Sequence, residues 1–348
     1  MMNPKIISIG YSVPKYSYDQ ATIFRDLAYP RPFWRIFRDA GIDKRYFCLP
    51  LEQIKSLSFQ EQQEYYLNLA PILSYQAMEN CLDDRNPQDI GAVIYVTCTG
   101  FPPGPTIAHY IGKKLKLPPG VFYTNISSQG CEGAFPGLCR AYDRTIASGK
   151  PSLFINCELT GLTYWPEPAG KPDPENDYEV LRANAIFGDA ASACLVGYDD
   201  DWHHPEVIDM ETHTNFDYID ELGYVWRNGR LRVKLSKRVP SLASLVVKPA
   251  LDAVLTRQHL TVSDITWWII HAAGNTVLDN MRDAIGVPED KTLLSRETLR
   301  LYGNTSSASV GITSKRLMQQ EIKRGEYVAV LSVGPGMTGG MTLCRFGG

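Results

Sequence analysis

The chain has 348 residues, 44% of them hydrophobic and 21% charged, with a formal net charge of -3. That length calls for one large domain or two intimate halves, and the composition excludes both a disordered chain and the basic balance of a nucleic-acid binder. Its eight cysteines are scattered without CxxC pairs and no secretory leader is evident, which predicts free thiols in a reducing cytoplasm; no apolar run is expected to approach the ~18 residues needed to cross a bilayer.

Lys5-Ile-Ile-Ser-Ile reads as a first strand. Asp89-Ile-Gly-Ala-Val-Ile-Tyr-Val reads as a helix exit into a buried strand, and Asp264-Ile-Thr-Trp-Trp-Ile-Ile-His opens in the same way. A second pair, Gly149-Lys-Pro-Ser-Leu-Phe-Ile and Gly325-Glu-Tyr-Val-Ala-Val-Leu, has an offset that differs from the first by a single residue. Two nearly equal offsets predict a duplicated α/β chain with halves at 1–205 and 206–348, strands followed by helices and packed between helical layers. The acid- and proline-rich stretch from Trp165 to Asn176 reads as a surface loop, and Asp199-Asp-Asp-Trp-His-His-Pro as a second loop at the boundary. His203 and His204 in that acidic loop read as solvated surface, and no cluster has the spacing of a metal site.

Gly130-Cys131-Glu132-Gly133 lies between the turn-rich Asn125-Ile-Ser-Ser-Gln and a helical run from Leu138 to Ala147. A helix N-terminus favours thiolate, so Cys131 is a candidate nucleophile; the alternative is a buried structural cysteine in a glycine-lined turn. The repeat offset carries Cys131 onto Tyr302-Gly-Asn-Thr-Ser-Ser-Ala-Ser, which leads into a helical run from Val310 to Ile322 and sets Asn304 before it. His271 ends the strand that begins at Ile265. If the halves pack about a pseudo-twofold axis, a thiol, an imidazole and an amide donor meet at one site, a set suited to acyl transfer and to stabilising an enolate. His271 as a satisfied strand-end histidine and Asn304 as a helix cap are the plain alternatives. A papain-like protease uses the same trio, but the duplicated α/β pattern argues against one. Gly334-Pro-Gly-Met-Thr-Gly339 fits GxGxxG after a strand, yet too little chain follows for a nucleotide-binding helix and second strand, so these glycines are expected to form a tight turn.

Ala40-Gly-Ile-Asp-Lys-Arg-Tyr-Phe, Gln129-Gly-Cys, Asn156-Cys-Glu-Leu-Thr, Ile186-Phe-Gly-Asp, Tyr302-Gly-Asn-Thr-Ser-Ser and Gly334-Pro-Gly-Met-Thr run essentially the length of the chain. Together they resemble thiolase-fold condensing enzymes, and among these the type III polyketide synthases of the chalcone synthase and dihydroxyphenylacetyl-CoA synthase kind. The resemblance implies a five-layered αβαβα, thiolase-like α/β fold with two pseudo-symmetric halves, a homodimer, and a Cys131–His271–Asn304 triad. It places Phe187 as a gatekeeping aromatic, Thr160, Thr163 and Ser306 at cavity-lining positions, and Arg35 near the mouth of a coenzyme A tunnel. Val233 stands where many members have a second gatekeeping phenylalanine, which predicts a wider passage and a medium or long aliphatic starter. Pro103 replaces a residue that in the family reaches across the dimer. Glu132 replaces an apolar or small residue; as an acid in a first helical turn it is expected to be structural, worth about 0.3–1 kcal/mol against the dipole.

The activity implied is decarboxylative condensation of malonyl-CoA with an acyl group held on Cys131. It needs no cofactor beyond the coenzyme A thioesters that are its substrates, and no metal, nucleic acid or membrane. Gly303-Asn-Thr-Ser-Ser-Ala-Ser and the ending Leu343-Cys-Arg-Phe also resemble 3-oxoacyl-ACP synthase III, so a single condensation fed by an acyl carrier protein is the alternative. A catalytically silent subunit that shapes a partner's cavity is the reading from another class.

Overall fold

In chain order the strands are β1 (Lys5–Ser12), β2 (Tyr16–Asp19), β3 (Lys44–Phe47), β4 (Ala92–Thr97), β5 (Phe122–Ser127), β6 (Ser152–Glu158), β7 (Ala190–Gly197), β8 (Glu206–Thr214), β9 (Leu222–Arg227), β10 (Arg230–Leu235), β11 (Ile265–Ile270), β12 (Tyr327–Gly334) and β13 (Thr338–Arg345). The computed structural model describes residues 3–101, 104–164, 177–227 and 230–347; Pro103 and the stretch from Trp165 to Asn176 lie outside the described residues.

Nine strands join in the order β11-β12-β13-β8-β1-β7-β6-β4-β5. With β5, paired parallel to β4 at one edge, set aside, the pairings repeat when followed inward from either side. β4 and β6 are parallel, and β6–β7 and β7–β1 are antiparallel. β11 and β12 are parallel, and β12–β13 and β13–β8 are antiparallel. The two pairs of similar sequence therefore occupy equivalent places, β4 with β11 and β6 with β12. β1 and β8 meet through a single residue pair, Lys5 and Glu206. β4, β6 and β7 are buried along their whole length, as strands covered by helices on both faces must be.

Three apolar cores fill the spaces between layers. One packs the helix Phe59–Leu82 on β1 and β7, and a second packs the helices Val239–Arg257 and Asn275–Ile285 on β8 and β11–β13. The third surrounds two central helices, Ala134–Ser148 and Ala308–Leu317, which lie between the two parts of the sheet. Helix, sheet, helix pair, sheet and helix make the five αβαβα layers of a thiolase-like fold. The second central helix is shorter than its sequence pattern predicts: the chain leaves it after Leu317, turns through Gly325 and enters β12 at Tyr327, while Ile322 packs on the core from outside the helix. Val239–Arg257 is long and apolar enough by composition to cross a membrane. Lys248 and Asp252 interrupt its apolar pattern, and its buried face packs against β8 and β13 as a core helix does.

Candidate active site

β5 delivers the chain to a tight turn, where Ser128 and Gly130 take positive φ values of 64° and 57°. The turn Gly130–Gly133 then feeds the central helix that starts at Ala134. A Cβ at Gly130 would come within 2.5 Å of Pro335 Cδ and 2.7 Å of the Tyr224 hydroxyl, so only glycine lets the β12–β13 hairpin turn close over the cysteine turn. The GxGxxG residues are thus spent on this hairpin. Cys131 is half-buried.

His271 continues β11, its N–H donating to Leu331 O at 2.9 Å. Asn304 follows Gly303 (φ 72°), where the helix Leu293–Tyr302 ends. It forms a parallel bridge with Phe187: its N–H donates to Ile186 O at 2.8 Å, and its carbonyl accepts from Gly188 N at 3.0 Å. The Asn304 amide is oriented from within, because Oδ1 accepts the Ser306 N–H at 2.8 Å. Nδ2 is then left facing Ala273 O at 3.4 Å and Cys131 Sγ at 3.9 Å.

Cys131, His271, Asn304, Phe187 and Arg35 line one cavity of about 440 Å³. Thr160, Thr163, Ser306 and Val233 do not line it. The Thr160 hydroxyl donates to Asp189 Oδ1 at 3.2 Å and that of Thr163 to Thr99 O at 2.8 Å. Ser306 lies behind Cys131, its hydroxyl bonded to the Cys131 thiol and 3.5 Å from Cys98 Sγ. Val233 packs with Ala183, Phe187, Cys131 and Tyr224.

Tyr224 changes the expectation for Val233. It sits directly across from Val233 in the β9–β10 pair and packs into the same apolar cluster. The tyrosine of the neighbouring strand is thus placed beside the volume that valine gives up, so what position 233 does to a passage depends on Tyr224 as well. Tyr224 also lines a second cavity of about 470 Å³ together with Cys98, Leu222, Trp226 and Pro335. Tyr224→Ala should join this space to the surroundings of Cys131. At about 0.8 kcal/mol per buried CH₂, each two-carbon extension of an aliphatic acyl-CoA should then raise loading up to about tenfold. Competition between acetyl-CoA and decanoyl-CoA, read by intact-protein mass, measures this; an unchanged preference would leave Tyr224 without control of length.

Burial dominates the electrostatics. It pushes the Cys131 thiol up to about 12, against hydrogen bonds from Ser306 and Asn304 that favour thiolate. It pulls the His271 imidazole down to about 4. Both shifts favour the uncharged form of each group taken singly, because desolvation opposes the helix terminus on which the sequence argument rests. The buried Glu158 carboxyl, raised by burial, gathers Ser307 Oγ at 2.6 Å, Cys98 N at 3.0 Å and Thr99 Oγ1 at 3.0 Å. It thereby ties the end of β4 to the segment after Asn304. The strand-end acid in Asn156-Cys-Glu, amid apolar residues, was the available signal for it.

Glu132 does not line the cavity either. It is 3% exposed, and burial pushes its carboxyl up to about 7, so the small benefit from the helix dipole is overridden. A carboxyl whose folded pKa exceeds its unfolded value lends stability below the unfolded pKa, near 4.5, and loses it as pH rises through about 7. Glu132→Gln should therefore be more stable than wild type near pH 8, by up to about 3 kcal/mol, and equal to it near pH 4. Turnover should change little. A variant melting below wild type at pH 8 would mean that the ionised carboxylate has a stabilising partner.

The model of the C-terminal part of 3-oxoacyl-[acyl-carrier-protein] synthase III matches residues 255–346. A putative chalcone synthase of Bacillus subtilis is 27% identical, over 97% of this chain and 97% of its own. A 3,5-dihydroxyphenylacetyl-CoA synthase of Amycolatopsis balhimycina is 25% identical, over 98% and 93%. Among solved structures, the 1,3,6,8-tetrahydroxynaphthalene synthase of Streptomyces coelicolor, a bacterial type III polyketide synthase, superposes with a TM-score of 0.88 at 24% identity, covering 98% of this chain and 99% of that one. The fold is the one that synthase has, and the resemblance read from scattered motifs extends along the whole chain.

Proposed function

We propose that this chain, a condensing enzyme of thiolase fold that resembles the type III polyketide synthases, loads an acyl group from coenzyme A onto Cys131 and extends it by decarboxylative condensation with malonyl-CoA. The observation that carries this reading is the meeting of Cys131, His271 and Asn304, from separate elements, on one cavity whose lining also includes Arg35 and Lys237.

In the first step Cys131 attacks the acyl thioester while His271, neutral at rest, accepts the thiol proton. Burial opposes either charge alone, so the two ionise as a pair. The imidazolium returns its proton to the departing coenzyme A thiolate. In the second step malonyl-CoA loses carbon dioxide, and the electron pair left behind is held as an enolate. Asn304 Nδ2–H and an imidazole N–H of His271 donate to its oxygen. The enolate carbon attacks the acyl-Cys131 carbonyl, the sulfur leaves and regains a proton, and the product is a 3-oxoacyl-CoA. Phe187 flanks the reacting groups and orients the malonyl unit. The only small molecules required are coenzyme A thioesters, and the setting is the cytoplasm. A homodimer is supported by β5, which ends the sheet with no further strand on its outer edge among the described residues.

The synthase III model match favours one second reading, in which an acyl carrier protein delivers the extender. Intact-protein mass spectrometry after exposure to a panel of acyl-CoAs tests the first step, and malonyl-CoA and malonyl-ACP offered in parallel to the acylated protein test the second. A mass gain on Cys131, followed by product with malonyl-CoA, supports the proposal. Product with malonyl-ACP alone favours the second reading. No acylation by any thioester overturns both and leaves a silent subunit.

A further inference from the structure

We propose that Arg45 is a positioning residue for carbon–carbon bond formation, holding the Phe187–Asn304 bridge in the geometry that aims Asn304 at the enolate. This inference rests on the condensation chemistry proposed above. Arg45 lies on β3 and is completely buried. In the β3 alternation Lys44 and Tyr46 are partly exposed while Arg45 and Phe47 point inward.

A guanidinium taken out of water needs its donors used. Here Nη1 donates to the carbonyl oxygen of Phe187 at 2.7 Å, while Nε and Nη2 have no hydrogen-bond partner among the described residues. The nearby acid, Asp189, acts on Arg45 through space. Its oxygens are otherwise engaged, accepting from Gly161 N at 2.7 Å and Cys48 N at 2.9 Å. A cation that forms one hydrogen bond, and forms it to the carbonyl of the aromatic residue lining the catalytic cavity, is poorly explained as an ordinary buried ion pair.

The stem of the side chain is placed as specifically as its head. A Cβ at Gly303 would fall 2.7 Å from Arg45 Cγ, and one at Gly188 would fall 3.3 Å from Arg45 Cβ. Gly188 follows Phe187 and Gly303 precedes Asn304, so Arg45 lies across both sides of the bridge at once. β3 also grips the same strip through Asp189 N, which donates to Tyr46 O at 2.9 Å. One side chain thus couples three sequence motifs: Lys-Arg-Tyr-Phe, Phe-Gly-Asp and Gly-Asn-Thr. Asn304 touches the reacting atoms and Arg45 does not. Its effect runs through the backbone of residues 187 and 304, where a shift of about 1 Å is enough to cost about 100-fold in a reaction that depends on alignment.

The test compares the two half-reactions in Arg45→Met, which keeps an unbranched apolar stem, and Arg45→Lys, which keeps the charge. Acyl loading of Cys131 is read by intact mass, carbon dioxide release from malonyl-CoA is read per acylated enzyme, and both are set beside the melting temperature. Loading by Arg45→Met should stay within about threefold of wild type, while decarboxylation falls by about 100-fold and Arg45→Lys recovers about tenfold of that loss. Loss of both half-reactions in proportion to the folded fraction would show a structural role only and overturn the proposal, as would undiminished decarboxylation. Should Arg45→Met fail to fold, Arg45→Lys decides: slowed decarboxylation with loading intact supports positioning, and equal loss in the two steps refutes it. A wild type that accepts no acyl group overturns the condensation reading, whereas a wild type that loads and condenses normally leaves Arg45 alone on trial.

Discussion

Cys131→Ala is expected to abolish acylation by every acyl-CoA and to lower product formation by about 10⁴-fold or more, since in the proposed mechanism Cys131 holds the acyl group. The other cysteines do not compensate. Cys98, Cys157, Cys194 and Cys344 are buried, and burial pushes the Cys157 and Cys344 thiols up to about 12. None of them lines the cavity that holds His271 and Asn304. The fold should survive, because the change removes one sulfur from a half-buried turn and costs about 1 kcal/mol or less. A second readout separates the nucleophile from its surroundings: slow decarboxylation of malonyl-CoA needs only the donors on Asn304 and His271, so it should persist when the thiol is gone. Product at the wild-type rate would mean that another group carries the acyl chain, and loss of decarboxylation as well would mean that Cys131 shapes the donor site.

What the sequence disclosed and what it hid follow from the range of the interactions involved. Cys131, His271 and Asn304 were legible because each sits at an element boundary, and two matched strand openings related those boundaries to one another. The strand pairings repeat in the same way on the two sides of the sheet. What position 233 faces was hidden for want of register: only the β9–β10 pairing sets Tyr224 opposite it, and an alternating pattern names faces without naming cross-strand partners. The state of Glu132 and of the Cys131–His271 pair depends on burial, where the desolvation of a charge outweighs a helix terminus worth about 1 kcal/mol. Thr160 and Thr163 were placed by position, and their hydrogen bonds to Asp189 and the Thr99 carbonyl could not be read from the sequence because those acceptors are distant along the chain. Arg45 stood in view within Lys-Arg-Tyr-Phe. A cation alternating in step with Phe47 marks an inward face, but nothing local says that its partner is the carbonyl of residue 187.

Asn304→Ala is expected to cut decarboxylation and condensation by about 10²–10³-fold while loading of Cys131 stays within about threefold. The donor it removes, Nδ2–H, faces the sulfur at 3.9 Å, and in the proposed mechanism it serves an oxygen that bears charge only once carbon dioxide leaves. Losing one such donor costs about 2.7–4 kcal/mol of transition-state stabilisation. Loading is different in kind in the proposed mechanism, where Cys131 and His271 exchange the proton and Asn304 only flanks them. The substitution also strips the Ser306 N–H of its acceptor, Oδ1 at 2.8 Å, and a buried donor left unpaired costs about 1–3 kcal/mol of stability. A lower melting temperature is therefore part of the expected result, and rates must be referred to the folded, acylated protein. Single-turnover measurements of loading by intact mass and of labelled carbon dioxide release from malonyl-CoA give the two half-reactions separately. A fall confined to the second step identifies Asn304 as the enolate donor. Equal falls in both would move it to general support of the Cys131 turn, and the enolate would then have to be held by His271 alone.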